Sequence, residues 1–345
     1  MSEAADVVVI GLGPAGASAA REAARRGCKV IALDRRREAG VPVQCAELVP
    51  AMLDVDPGAV RQPIDSMLTF VEDDAPDLEA HFPGRMLDRA RFDASLVAEA
   101  ARAGADCRFS ARVRKISPSG LVELADGTRL RPGVLIGGDG PRSLAGRAIG
   151  CVNTEVVETR QITVPLIGPH RATDIFLSAG IRGGYGWLFP KGEAANLGAG
   201  VAPEYKRDLK GLVAALHSRL VGEGRVGDKI LALTGGAIPV GGMLKPFGFL
   251  EETPVLLAGD AAGLANPVTG AGIAAAVHSG RLAGECAARV LSGKEIPVEE
   301  YEQELQDLFG AALDRAVQRR RELMQSDLAK PALRRGWIAY PQYWT

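Results

Sequence analysis

The fold is decided near the N-terminus by residues 7–34, which read VVVIGLGPAGASAAREAARRGCKVIALD. An apolar run of strand length meets a turn with G-x-G-x-x-G spacing through Gly11, Gly13 and Gly16. An alanine-rich helical stretch follows, and a second apolar strand ends on the carboxylate of Asp34. Strand, turn, helix, strand and acid in this order predict a βαβ unit that binds a dinucleotide.

Each part of this unit predicts one feature of the dinucleotide site. Gly11 makes the tight turn, Gly13 lets a pyrophosphate approach the backbone, and Gly16 lets the helix pack closely on the strand. The N–H groups and the positive dipole end of the helix N-terminus receive the phosphates. Asp34, about 18 residues after Gly16, is placed to accept hydrogen bonds from an adenosine ribose.

Three consecutive arginines, Arg35 to Arg37, come directly after this acid. They could form an ordinary solvated face, or they could hold phosphate or stack on adenine beside the adenosine site. The sequence does not separate these two interpretations. We therefore keep Arg35 as a candidate cofactor contact.

Composition excludes several classes of function. The 345 residues carry 41 Lys+Arg against 42 Asp+Glu, a net charge of −1, so no basic surplus points to nucleic acid. The five cysteines are odd in number and contain no C-x-x-C pair, which argues against a disulfide framework and a structural zinc site. We predict no bound metal.

The chain lacks the patterns of targeting and membrane-spanning segments. No basic segment precedes a long apolar one at the N-terminus, and no stretch approaches about 18 uninterrupted apolar residues. We predict a cytoplasmic protein without a transmembrane segment, and peripheral contact with a membrane stays open.

Three acids each end an apolar run of strand length: Asp34, Asp139 and Asp260. In a doubly wound sheet, ligands bind outside the carboxyl ends of the strands. The three acids are therefore expected to lie along one cleft at the carboxyl ends of the strands, although they are far apart in the chain.

The order of the predicted strands and helices along the chain predicts an α/β fold with two interleaved domains. A Rossmann-like, three-layer domain with a parallel sheet carries an inserted domain built on an antiparallel β-sheet, and C-terminal helices follow. Residues 61–87 show no clear pattern and are predicted to be irregular. The boundaries are residues 1–60, 85–150 and 245–295 for the nucleotide domain, 61–84 and 151–244 for the inserted substrate domain, and 296–345 for the helical segment.

The motifs around these acids resemble known flavoproteins. G-x-G-x-x-G at 11–16, GDG at 138–140 and GDAAG at 259–263 are similar to the fingerprints of single-FAD flavoproteins of the para-hydroxybenzoate hydroxylase type. Four further segments resemble the geranylgeranyl reductase family of that group: PVQCAE (42–47), RARFD (89–93), YGWLFPK (185–191) and NPVTGAGI (266–273). The resemblance covers about residues 5–290.

The resemblance implies an FAD-dependent oxidoreductase that uses NAD(P)H as co-substrate. It implies that the Asp139–Gly140 turn touches both FAD and the incoming nicotinamide. The other implied contacts with FAD are Ala15 and Asp34 at the adenosine half, Arg89 and Val113 at its flanks, Cys45 and Ala46 beside the isoalloxazine, and Asp260, Gly272 and Ile273 at the ribityl chain and flavin.

Elementary physics agrees with the resemblance at one point. The GAG segment at 270–272 precedes a helical stretch, and its N–H groups suit the flavin edge that becomes negative on reduction. The chain has no second strand–GxGxxG–helix unit, so NAD(P)H is expected to dock transiently. Cys45 is the candidate catalytic residue, although a single loop cysteine is by itself more typical of a small apolar residue.

Tyr185, Trp187 and Phe189 alternate along one β-like stretch, and this alternation puts them on one face. Such a wall suits an apolar or planar acceptor and is equally compatible with core packing. We keep the three residues as the candidate substrate pocket.

Three functions remain compatible with the sequence. The leading one passes hydride from NAD(P)H through FAD to an acceptor, an isoprenoid-like carbon–carbon double bond. The second donates electrons to a redox protein partner, such as an iron–sulfur enzyme of cofactor or lipoate assembly. The second function is favoured because the chain contains little more than the tail helices after residue 290. This predicts that less protein is present to enclose a long prenyl chain. The third is an FAD-dependent aromatic monooxygenase.

Overall fold

The computed structural model describes residues 2–293 and 297–345, with strands numbered β1 to β19 and helices α1 to α9 along the chain. A first sheet is built from β1 (Glu3–Ile10), β2 (Val30–Leu33), β8 (Asp106–Arg108), β9 (Val113–Ile116), β10 (Val122–Leu124), β11 (Arg129–Gly137), β18 (Phe247–Leu250) and β19 (Thr253–Leu257). Its main order is β18-β19-β11-β1-β2-β8. The five strands from β19 to β8 are parallel, and β18 and the β9–β10 pair add antiparallel edges.

The register of the parallel strands brings their carboxyl ends to one edge. Ile10 pairs with Leu33 on one side and with Gly137 on the other, and Gly137 pairs with Leu257. The turns that follow these strands therefore start side by side. The strands are continuous apolar runs because both faces of the sheet are covered.

Helices pack on both large sheets of the molecule and continue into the C-terminal region. Their bounds are α1 (Pro14–Arg25), α2 (Arg89–Arg102), α3 (Leu144–Ala148), α4 (Leu209–Gly222), α5 (Ile273–Leu291), α6 (Pro297–Leu305), α7 (Ala311–Gln325), α8 (Lys330–Arg335) and α9 (Pro341–Trp344). Helix α1 packs against α2 and α5, while α3 packs against β9, β11 and β19. No helix in residues 2–293 and 297–345 is long and apolar enough to cross a membrane.

Helices α1 and α5 approach each other closely enough to exclude side chains between them. A Cβ on Gly280 would lie 2.1 Å from the carbonyl oxygen of Ala15, and a Cβ on Gly284 would lie 2.4 Å from that of Ala19. Only glycine at these two positions of α5 permits this contact. The contact holds the N-terminal turn of α1 against the middle of α5.

A second sheet lies over the carboxyl edge of the first. It contains β5 (Ser66–Val71), β6 (Asp77–Glu79), β12 (Val156–Pro165), β13 (Ala172–Leu177), β14 (Gly186–Lys191), β15 (Ala194–Val201), β16 (Ala232–Thr234) and β17 (Ala237–Pro239). The order is β16-β12-β15-β14-β13-β5-β6, with β17 also paired to β12. All these pairs are antiparallel except β13–β5, which is parallel. No tight hairpin joins β5 to β13, so no turn imposes an antiparallel direction on them.

The prediction of irregular structure over residues 61–87 is wrong. This region contains β5 and β6 together with parts of a small third sheet, β3 (Leu48–Pro50), β4 (Val60–Ile64) and β7 (Gly84–Leu87), in the order β3-β7-β4. Alternate residues of Ser66–Val71 are buried, as expected of a strand with one face on the core. These strands are short, so the period-2 pattern was weak in the sequence.

The C-terminal region reaches from the first sheet to the second. Tyr301 is buried on α6 and donates its hydroxyl to the carbonyl of Leu257 at 2.6 Å. A π-helical turn over Gln306–Gly310 joins α6 to α7, and α8 packs against β5. The domain boundaries remain predictions, and the one between residues 295 and 296 lies outside the described residues.

Candidate functional site

A cavity of about 540 Å³ opens between the carboxyl edge of the first sheet and the face of the second. Its wall includes Gly13, Gly138 and Ala258 at the strand ends of the first sheet, and Gln161 and Ile175 on the second. Within residues 2–293 and 297–345, no group of His, Cys, Asp and Glu could hold a metal ion. Residues of both sheets thus contribute to one cavity wall.

The glycine turn and the start of α1 form part of the cavity wall. Gly13 caps the helix without a side-chain hydrogen bond, and open space surrounds the position of its absent Cβ. A Cβ on Gly16 would lie 1.7 Å from the carbonyl oxygen of Gly11, so only glycine allows α1 to start this close to β1. The exposed N–H groups suit a phosphate, as the sequence predicts.

Asp34 is buried directly behind this turn. One carboxylate oxygen accepts the N–H of Leu12 at 2.9 Å, and Arg36 binds both oxygens through its guanidinium at 3.0 and 2.7 Å. Burial opposes ionisation of Asp34, but the hydrogen bonds from Arg36 outweigh burial and lower the pKa. Arg35 is exposed, so Arg36 is the arginine that reaches the acid.

Asp139 lies in the wall behind the cavity, and the flanking Gly138 and Gly140 line it. The carboxylate of Asp139 accepts hydrogen bonds from the Ser143 hydroxyl at 2.5 Å and from the Leu144 N–H at 2.6 Å. Ser143 in turn caps α3 by accepting the N–H of Gly146 at 2.8 Å. Burial raises the pKa of Asp139 above its usual range.

The start of α5 forms a second uncapped helix N-terminus in the same cavity. Gly272 is its capping residue without a side-chain hydrogen bond, and both Gly272 and Ile273 line the cavity. Asp260 faces this turn, and burial raises its pKa to about 6, against the opposing charge of Arg89. This end provides N–H donors next to a carboxyl group, which suits a polar chain and a ring edge that gains negative charge.

Cys45 and Ala46 line the cavity on the loop before β3. The Cys45 Sγ accepts the N–H of Glu47 at 3.1 Å, and the Cys45 carbonyl accepts the Gln161 side-chain amide at 3.1 Å. Gln161 also accepts the indole N–H of Trp187 at 3.0 Å. The loop is thus tied to the second sheet through Gln161.

Arg89 also lines the cavity, at the start of α2. It binds Asp93 through two hydrogen bonds, at 2.8 and 3.1 Å. Burial opposes its charge, but Cys45 and Asp93 outweigh burial and raise the pKa of Arg89. Val113, the other predicted flanking residue, is buried in the core of the first sheet, away from the cavity wall.

Sequence reasoning missed the role of Glu47. Its carboxylate is buried and binds the Lys191 ammonium, the Asn196 amide at 2.7 Å and the Arg89 N–H at 3.2 Å. Glu47 adopts a left-handed backbone conformation with φ of 72°. Glu47 is the last residue of the PVQCAE motif, and Lys191 is the last residue of the YGWLFPK motif. The negative charge of one motif and the positive charge of the other were the available sign that the two residues pair.

Tyr185, Trp187 and Phe189 line one wall of the cavity, on the shared face that their alternation predicts. The ring centroids of Tyr185 and Trp187 are 5.7 Å apart, and those of Trp187 and Phe189 are 6.3 Å apart. Trp337 from the C-terminal region adds a fourth ring, 4.8 Å from Tyr185, next to Ile338. The C-terminal region thus supplies part of the cavity wall.

Comparison with known proteins decides between the families that share this architecture. Residues 6–87 match a family model described as an FAD binding domain. The digeranylgeranylglycerophospholipid reductase of Methanosarcina acetivorans is 30% identical over 334 residues, which make up 88% of this chain and 80% of that protein. A digeranylgeranylglycerophospholipid reductase of Methanopyrus kandleri is 34% identical over 89% of this chain and 88% of that protein. The chain belongs to the geranylgeranyl reductase family.

A solved structure from this family has the same fold. The geranylgeranyl bacteriochlorophyll reductase-like protein of Thermoplasma acidophilum superposes with a TM-score of 0.82, at 23% identity, over 99% of this chain and 98% of that chain. The predicted α/β fold, with a Rossmann-like parallel sheet and a second antiparallel sheet, is confirmed. This reductase-family protein is an FAD-dependent reductase.

The cavity of this geranylgeranyl reductase family member fits FAD. Two uncapped helix N-termini, at Gly13 and Gly272, contribute N–H groups to its wall, and the backbone at Gly13 is open to a ligand. The protonatable carboxyl of Asp260 lies next to Gly272. The assignment of individual residues to the adenosine, ribityl and flavin parts remains a prediction.

Proposed function

We propose that this protein reduces a carbon–carbon double bond of an isoprenoid lipid, with FAD as cofactor and NAD(P)H as electron donor. One observation carries the proposal: the cavity whose wall contains the two helix N-termini is also lined by the aromatic rings of Tyr185, Trp187, Phe189 and Trp337. A polyunsaturated prenyl chain matches such a wall, because it is apolar and has flat π-bonds. The similarity to digeranylgeranylglycerophospholipid reductases supports the same substrate class.

Bound FAD would supply hydride transfer, which the side chains of the protein cannot provide by themselves. The residues of the chain hold and orient the reactants. The α5 N-terminus and Asp260 face one end of the cleft, and the aromatic wall positions the acceptor and excludes water. The N–H groups at α5 favour the negative charge that a reduced ring edge develops.

Reduction of a double bond also needs a proton for the second carbon. Cys45 is the candidate donor, because it lines the cavity and carries a protonatable side chain. The Tyr185 hydroxyl is less suited, since it already donates to the Thr269 carbonyl at 2.6 Å and burial raises its pKa. We therefore assign the proton-donor role to Cys45 as part of the proposal.

NAD(P)H is proposed as the donor because the described residues contain one βαβ dinucleotide unit, which FAD would occupy. A donor without its own fold must visit the cleft and leave it. The contribution of the C-terminal Trp337 and Ile338 to the cavity wall favours an enclosed small-molecule or lipid acceptor over transfer to a redox protein.

The test begins with the FAD-loaded protein, reduced anaerobically by NADH or by NADPH. It is then mixed separately with a C20 prenyl lipid, an iron–sulfur protein and an aromatic acid. We expect rapid reoxidation by the prenyl lipid alone, with a product that mass spectrometry shows to have gained two hydrogens per reduced double bond. Reoxidation that needs oxygen and yields a hydroxylated aromatic product would refute the proposal, as would transfer to the iron–sulfur protein alone.

A further inference from the structure

The charges in the cavity wall are balanced except at one place. The wall contains four charged side chains: Glu47, Arg89, Asp260 and Arg320. Glu47 pairs with Lys191, Arg89 pairs with Asp93, and Asp260 lies within the field of Arg89. Arg320 forms no ion pair with any residue in 2–293 or 297–345.

Arg320 lies on α7, where its guanidinium meets one backbone oxygen. Its Nη1 donates to the Gly183 carbonyl at 2.5 Å, and the next residue, Gly184, lines the cavity. A guanidinium carries five N–H donors in a planar fork, so most of its donor capacity is unused here. The carboxylates of Glu155 and Glu204 interact with Arg320 only through their charge and form no hydrogen bond with it.

The surroundings of Arg320 make its charge costly. Burial lowers its pKa, and the charges of Glu155 and Glu204 offset only part of that effect. Glu155 is half exposed and lies 3.6 Å from Arg321 instead. Arg320 is partly exposed, but a cation that is largely removed from water without a counter-ion is unfavourable, and an anion that binds beside it lowers this cost.

We propose that Arg320 forms the anion subsite of the acceptor pocket and binds the phosphate or carboxylate head group of a prenyl acceptor. Guanidinium forks match both groups through two parallel hydrogen bonds. This inference rests on the proposed function, because it assigns the chain of the acceptor to the aromatic wall and its head group to the α7 side of the same cavity.

The geometry gives the acceptor one orientation. Gly184, beside Arg320, directly precedes Tyr185, and Tyr185 contacts Trp337 with their rings 4.8 Å apart. A head group on Arg320 therefore leads its chain first past Tyr185 and Trp337 and then towards Trp187 and Phe189. The charge selects acceptors with an anionic head over neutral alcohols of the same length.

The test measures binding to the FAD-loaded protein with three probes that share one C20 chain: geranylgeranyl phosphate, geranylgeranoic acid and geranylgeraniol. Quenching of tryptophan fluorescence reports binding, because Trp187 and Trp337 line the cavity. We expect the wild type to bind the two anions about tenfold or more tightly than the alcohol. Arg320→Gln should abolish this preference, and Arg320→Lys should keep part of it.

Arg321→Gln is the matched control, since Arg321 is the next residue on α7, is 62% exposed and pairs with Glu155. This control should keep the anion preference. Equal weakening of all three probes by Arg320→Gln would make Arg320 a structural anchor for α7 and overturn the inference. Equal affinity of the wild type for the alcohol and the anions overturns it whatever the variants do.

Two further arms separate this inference from the proposed function. Dodecyl phosphate and dodecanol measure the anion preference without an isoprenoid chain, so the preference can appear even if no prenyl lipid is reduced. NADPH and NADH test the other source of phosphate. If Arg320→Gln weakens NADPH alone and leaves the prenyl phosphate unchanged, the subsite belongs to the donor and the assignment to the acceptor fails.

Discussion

At the residue scale, burial disfavours the ionised form of Asp260, and a ligand that donates a hydrogen bond to this carboxylate would stabilise that form. Its pKa rises from 3.8 to about 6 because the carboxyl is buried, with only Arg89 opposing the shift. Such groups are typical of binding sites, because the free energy lost in the protein alone is recovered when a ligand donates to the carboxylate.

The raised pKa makes the stability of the apoprotein depend on pH. Between about pH 4 and about pH 6 the folded state keeps a proton that the unfolded state has lost, so the free energy of unfolding falls as pH rises. The full effect is at most about 3 kcal/mol. Asp260→Asn should remove it, and urea unfolding of both apoproteins at about pH 4.5 and about pH 7.5 measures the difference.

The same variant should bind FAD more weakly, because an amide cannot replace a carboxylate as a charged acceptor. Asp307→Asn serves as a control on an acid remote from the cavity wall. If the difference in the free energy of unfolding between the wild-type and Asp260→Asn apoproteins is the same at both pH values, the raised pKa of Asp260 is contradicted.

Cys45 provides the second prediction at this scale. Cys45→Ala should leave the FAD content unchanged, because the loop is held through the Cys45 carbonyl and Glu47 and not through the thiol alone. If the thiol supplies the proton, reduction of the acceptor should slow by about a hundredfold or more. Rapid-mixing experiments with pre-reduced protein measure this step, with Cys107→Ala as control. A rate equal to wild type would remove Cys45 from the mechanism.

At the scale of elements, the contact between α1 and α5 holds both helix N-termini in one cavity. Gly280→Ala places a methyl group against the Ala15 carbonyl, where its Cβ would lie at 2.1 Å, and must push the helices apart. We expect a loss of about 1–3 kcal/mol in the free energy of unfolding and weaker FAD binding. Urea unfolding and flavin fluorescence titration test the two effects.

Gly211→Ala on α4 is the matched control, because nothing lies within 4 Å of its added Cβ. There the substitution should be neutral or stabilising by up to about 1 kcal/mol, since alanine favours a helix interior. Equal effects at Gly280 and Gly211 would show that the helices can separate without cost.

The Glu47–Lys191 pair joins the Cys45 loop to β14 and supplies the second element-scale prediction. Lys191→Met leaves the Glu47 carboxylate buried without its cation, so we expect a loss of about 3–5 kcal/mol in the free energy of unfolding. The double variant Glu47→Gln with Lys191→Met should lose less than the sum of the single variants. Additive losses in this double-mutant cycle would mean that the two residues act independently.

At the scale of the whole molecule, the cavity separates the first sheet from the second, so a ligand that fills it contacts both. FAD at about 100 times its dissociation constant should stabilise the protein by about 2.7 kcal/mol, because it binds the folded state alone. Thermal unfolding with and without FAD measures the shift. FMN, which lacks the adenosine half, should stabilise less at the same concentration, and an equal effect of both would argue against an adenosine contact at α1.

The sequence by itself determined the local units of this protein. The strand, glycine turn and helix at residues 7–34 specify their own backbone. A Cβ at Gly16 would lie 1.7 Å from the Gly11 carbonyl oxygen, and Gly11 has a φ of 91°, which other residues rarely adopt. The alternation of Tyr185, Trp187 and Phe189 likewise determines that they share a face, since the period of a strand is two residues. The motifs shared with the family then predicted that the cofactor is FAD.

Only the tertiary structure decided which distant residues meet. Glu47 and Lys191, 144 positions apart, and Arg320 and Gly183, 137 positions apart, are joined by the packing of separate sheets and helices. The same packing placed Trp337 in the cavity wall beside Tyr185, 152 positions earlier in the chain. Periodicity within one segment carries no information on such contacts, because they depend on the burial of whole faces against each other.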